Sequence, residues 1–171
     1  RYEDLSQGAV DATKIFILDA FGVAIAGTLA PGVAETLGVL SDWGGKAEST
    51  VLVSGERLPA PSSAMMNSFL MHNQEFDPVH DLAVVHAFTT VLPVALAVAE
   101  AQGGVSGREL LTAVALGVDV ACAIGLSSKS PIAHFRPGTL GAFGAVAAAG
   151  KISGFDEVTL SQAMGIVYSQ I

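Results

Sequence analysis

Ser106 to Leu126 reads S-G-R-E-L-L-T-A-V-A-L-G-V-D-V-A-C-A-I-G-L, and this run decides the fold. Ser106 and Glu109 form a capping box, in which each side chain meets a backbone N–H that the first helical turn leaves open. Behind that cap Leu110 to Leu126 is the clearest helix in the chain, amphipathic or apolar all round. Asp119 interrupts it, as Asp19 interrupts the apolar window Ile15 to Leu29. Neither window reaches an uncharged span of about 18 residues or more, which favours a helical core over a membrane span.

Working outward, Gln102-Gly103-Gly104 ends an apolar helix over Ala87 to Ala101, where Pro93 either kinks the helix or marks its first turn. Ser6 to Thr28 is predicted as a mostly buried helix ending near Gly27. Asp19, and by the same pattern Asp119, is expected to hydrogen-bond to a neighbouring helix end. Pro31 starts a shorter helix, Gly32 to Asp42, which stops at Trp43-Gly44-Gly45. Ser49 to Ser54, S-T-V-L-V-S, is the one strand candidate. Pro59 and Pro61 open a helix over Ser63 to Glu75, with Ser63, Asn67, Leu70 and Gln74 on one face. After Gly138-Thr139-Leu140-Gly141 comes a helix of very small residues ending at Lys151 to Gly154, suited to close approach of its neighbours. Asp156 caps a last helix from Val158. Eight or so helices and one short strand make an all-α multi-helix bundle, a single helical domain over residues 1–171.

The composition bounds the function. The chain is 51% hydrophobic with a net charge of -8 and only eight basic residues, scattered, which excludes disorder and a nucleic-acid surface. A mean hydropathy of +0.55 leaves apolar surface to cover, which favours a homo-oligomer or further chain. Cys122 is expected to be a small core residue. No signal or transit segment is visible, so a cytoplasmic setting is expected, with no membrane partner.

Chemistry concentrates in two polar loops. His72 to His86, H-N-Q-E-F-D-P-V-H-D-L-A-V-V-H, holds three of the four histidines together with Glu75, Asp77 and Asp81. Ser127 to Pro137 holds Lys129, His134 and Arg136, just ahead of a helix N-terminus. Cations and helix N–H groups suit a carboxylate ligand, while a histidine moves a proton at the adjacent carbon. A metal site built from His72, Asp77, His80 and His86 has the right ligand types but no compact H-x-x-x-H or H-E-x-x-H spacing. The histidines could also serve only to satisfy loop backbone, a role that fits His72 and His80 best. No G-x-S-x-G elbow is present, and Cys122 lies in an apolar helix, so a nucleophile mechanism has no support.

Three segments in order, Leu18 to Gly27 (L-D-A-F-G-V-A-I-A-G), Met66 to His80 with Val84 to His86, and Gly138 to Lys151 (G-T-L-G-A-F-G-A-V-A-A-A-G-K), resemble the MmgE/PrpD family. That family includes 2-methylcitrate dehydratases, cis-aconitate decarboxylases and iminodisuccinate epimerases. The resemblance implies a large helical domain, with a smaller α/β lid lying beyond Ile171, a homodimer, and lyase or isomerase chemistry on a small di- or tricarboxylate with no cofactor or required metal. It places the family's active-site acid on Glu75, with Asp77 two residues on, and its histidines on His86 and His134. Lys129, Arg136, Thr139 and His80 are then expected to contact substrate. Pro78, Val79 and Ala87 depart from the family pattern. The contrasting expectation is a non-catalytic helical subunit or scaffold that dimerises through its small-residue helices.

Overall fold

The computed structural model describes residues 1–128 and 135–171. After a single 3-10 turn at Tyr2–Asp4, the helices are α1 (Gln7–Gly27), α2 (Val33–Trp43), α3 (Ala60–His72), α4 (Ala87–Ala101), α5 (Gly107–Ser127), α6 (Arg136–Ser153) and α7 (Glu157–Tyr168). Two strands, β1 (Ser49–Thr50) and β2 (Arg57–Leu58), pair antiparallel between α2 and α3. The fold is the all-α bundle that the sequence predicts, with seven α-helices among the described residues.

The capping box forms: Glu109 N–H donates to Ser106 Oγ at 3.2 Å and Ser106 N–H to Glu109 Oε2 at 2.9 Å. Asp156 caps α7 by accepting from Thr159 N–H at 2.8 Å. α4 is the central element, packed against α3, α5 and α6, and its Val91, Leu92 and Ala95 are fully buried. Pro93 lies inside it, buried, where it can give no N–H to the Thr89 carbonyl. α5 and α6 meet through glycine: a Cβ on Gly117 would stand 2.6 Å from the Gly144 carbonyl oxygen, and one on Gly144 2.4 Å from that of Gly117. α1 crosses α3 in the same way at Gly27, whose carbonyl accepts from Asn73 Nδ2 at 2.9 Å.

Several expectations are corrected. α1 is not mostly buried: Ile15, Leu18 and Ile25 are exposed, and so are Asp19 and Asp119, which bond to no helix end among the described residues. Both carboxylates reach solvent directly, which removes the need for a buried partner. Cys122 is half-buried rather than core, and burial together with the Asp119 charge pushes its thiol pKa up. The β-branched run makes only two residues of strand, because the Asn67 amide takes over: its Oδ1 accepts from Leu52 N–H at 2.7 Å and its Nδ2 donates to the Thr50 carbonyl at 3.0 Å. Val53 then turns left-handed, and the partner strand β2 carries no β-branched signal. α3 stops at His72 rather than Glu75, whose φ of 55° no helix accommodates. α5 is long and apolar enough to cross a membrane by length and composition, although Asp119 interrupts it; here it packs on α1, α4 and α6.

Candidate active site

The chain leaves α3 at His72 and enters α4 after its cap residue, His86. Between them it doubles back. His80 N–H donates to the Val85 carbonyl at 3.0 Å, and Val84 N–H to the His80 carbonyl at 2.8 Å. Glu75 and Val84 take left-handed φ values of 55° and 51°, uncommon for non-glycine residues and most of all for a β-branched one. This reversal carries Asp77 back between the two helix ends.

There the Asp77 side chain, 1% exposed, meets three donors. Its Oδ1 lies 3.0 Å from His72 Nδ1 and its Oδ2 3.0 Å from His86 Nδ1, while the Thr89 hydroxyl donates to the same Oδ2. The two imidazoles touch edge to face with centroids 5.0 Å apart, and Phe135 flanks His72 at 6.1 Å. A carboxylate in its ionised form can only accept, and opposite it each ring nitrogen Nδ1 is the donor. A neutral ring so held leaves Nε2 with its lone pair, the form that takes up a proton. The bonds to His86 and Thr89 also set Asp77 at the first turn of α4, where the helix N-terminus favours negative charge.

His72, Asp77 and His86 bring one ligand atom each within 4.8 Å of one another. These residues could hold a transition-metal ion if both Nδ1 protons were displaced. The hydrogen bonds at 3.0 Å already account for the arrangement.

Of the residues singled out from sequence, Asp77 and His86 come together. Glu75 lies at the margin: its side chain is 70% exposed and stands 3.5 Å from His72 Nε2. His80 is turned elsewhere, its Nδ1 accepting from Ala83 N–H at 3.1 Å while the ring lines a groove of about 610 Å³ with Phe16, Phe88, Asp119 and Cys122. Arg136 donates from Nη1 to the Ala83 carbonyl at 2.9 Å and so braces the loop. The Thr139 hydroxyl returns to its own helix, at the Phe135 and Arg136 carbonyls. Lys129 and His134 lie outside the described residues.

Sequence reasoning set His72 aside and passed over Thr89. Signals for both existed. His72 closes the helix five residues before Asp77, and Thr89 follows His86 by three, one turn along the same helix face.

No curated protein matches the chain. The family model of the MmgE/PrpD N-terminal domain matches residues 1–171. On that match the chain belongs to the MmgE/PrpD family, as an N-terminal domain of it.

Proposed function

We propose that this chain supplies the proton-abstracting part of a lyase or isomerase that acts on a small di- or tricarboxylate. Enzymes of this family are generally of the lyase type, and the observation that carries the specific reading is the buried Asp77 carboxylate between His72 and His86. Held by Nδ1, His86 presents Nε2 as a base toward a carbon next to a substrate carboxylate. The proton leaves that carbon for Nε2, and the electron pair left behind delocalises into the carboxylate. Loss of hydroxide from the neighbouring carbon then gives dehydration, and return of the proton to the opposite face gives epimerisation. In decarboxylation the proton moves the other way: CO₂ leaves a carbon next to a C=C bond, its bonding pair shifts that double bond, and the far alkene carbon takes a proton from protonated His86.

In this reading His134 is the second acid/base group, and Glu75 tunes His72 from the rim. Lys129 and Arg136 attract the substrate carboxylates. The reading includes a cytoplasmic homodimer, which would cover exposed apolar residues of α1 such as Ile15, Leu18 and Ile25.

The test is proton exchange. Citrate-like and aconitate-like acids are incubated with the protein in D₂O and followed by NMR. Deuterium enters the carbon next to a carboxylate with wild type, and His86→Ala slows this by about 10²-fold or more. Exchange that proceeds at the wild-type rate in His86→Ala removes that residue from the mechanism.

A further inference from the structure

The helix threonines do not all spend their hydroxyls alike. Thr13, Thr112 and Thr90 donate to backbone carbonyls of their own helices, at 2.7, 2.7 and 3.1 Å, the usual habit of a helical threonine. Thr89 is 3% exposed, and its hydroxyl goes across to Asp77 Oδ2. That is the oxygen facing His86 Nδ1. The first turn of α4 is also short of a backbone bond, since Pro93 has no N–H for the Thr89 carbonyl. The side-chain bond is therefore a direct tie between this turn and the loop.

We propose that Thr89 is a positioning residue for His86, acting through Asp77. With Thr89 and His86 both on Oδ2 and His72 on Oδ1, the carboxylate is fixed in plane and its direction toward His86 is set. A carboxylate so fixed keeps the His86 proton on Nδ1 and the lone pair on Nε2. Without the hydroxyl, Asp77 can turn about its Cβ–Cγ bond toward His72 alone, and the His86 ring is released to exchange tautomers. The role of His86 as base rests on the function proposed above; the tautomer lock does not.

The experiment uses the ¹⁵N-histidine-labelled chain at about pH 8, where free imidazole is neutral. In wild type the ring-nitrogen spectrum of His86 is that of the Nδ1–H form. Thr89→Val, close in shape but without the hydroxyl, converts it to a mixture containing the Nε2–H form. Thr89→Ser keeps the hydroxyl and retains the wild-type signature. In the exchange assay Thr89→Val lowers turnover by about tenfold with little change in KM, as expected for lost orientation rather than lost binding. A Thr89→Val spectrum identical to wild type overturns the proposal, and so does a Thr89→Ser spectrum that moves as Thr89→Val does. If the tautomer shifts as stated while wild type exchanges no carboxylic acid, positioning stands and the proposed reaction falls.

Discussion

Asp77 and His86 are held 3.0 Å apart, carboxylate oxygen to ring Nδ1, although a reversed loop and nine positions of sequence separate them. The first prediction concerns the sign of that bond. Asp77→Asn keeps the shape but lets the side chain donate, so His86 can accept on Nδ1 and carry its proton on Nε2. The base is then blocked while the fold is nearly intact. Exchange of substrate deuterium falls by about 10²-fold or more with the melting temperature almost unchanged. An Asp77→Asn protein that turns over normally refutes the assignment of Nε2 as base.

A second prediction separates the hydrogen-bonded cluster from a metal centre. The contacts of Asp77 with His72 and His86 are satisfied by protons, so dialysis against a chelator leaves turnover unchanged. Added Zn²⁺ inhibits, because the three ligand atoms within 4.8 Å of one another can capture it and take the Nδ1 protons away. Loss of activity on chelation, restored by a metal, would make the centre a metal site.

The sequence announces the helices through local chemistry: the Ser106–Glu109 capping box, the Asp156 cap and the small residues of α6 all act within a few positions of themselves. The loop was legible as a place where titratable groups gather, and Asp77 and His86 as members of it. What was not legible is the pairing. Whether Glu75 or Asp77 turns inward depends on a left-handed residue at position 75 and on the bridge from His80 to Val85, which no periodicity reports. His72 was discounted for the same reason, since only the reversed loop brings Asp77 back to the end of α3. The short strands failed likewise: Asn67, fifteen positions from Leu52, claims the N–H that a longer β1 would have used.

Close glycine contact at the α5–α6 crossing gives a third prediction. Gly144→Ala would put a methyl group 2.4 Å from the Gly117 carbonyl oxygen and 3.0 Å from Val91 Cγ2, so the helices must separate. Overpacking of this kind costs about 1–3 kcal/mol, and a domain of this size loses roughly 2–4 °C in Tm per kcal/mol. Calorimetry should show a drop of several degrees or more. Gly165→Ala, on α7 with open space around it, is the control and should not lower the Tm.

Cys122 supplies a fourth. Burial, and next the Asp119 charge, push its thiol pKa above the ordinary cysteine value, so less thiolate is present at pH 8 than in a free thiol. Alkylation by iodoacetamide is correspondingly slow. Asp119→Asn removes the charge and quickens it by a small factor while the burial contribution remains. Reaction as fast as that of free cysteine would contradict the half-buried placement on α5.

The capping box that decides the fold carries the last prediction. The carboxyl of Glu109 is held below its ordinary pKa, first by the Ser106 hydroxyl and then by the Ser106 N–H. A depressed pKa favours the folded state at pH values above the unfolded carboxylate range, and that contribution disappears as pH falls through the folded value. The group is fully exposed, so the effect is small and shows best as a difference. Ser106→Ala should return the Glu109 titration, followed by NMR, toward the ordinary glutamate range near about 4.3. It should also melt below wild type at pH 7, by a margin that narrows on acidification. A margin that stays constant from pH 7 to pH 3 would mean that the hydroxyl caps Glu109 N–H without involving the carboxylate charge.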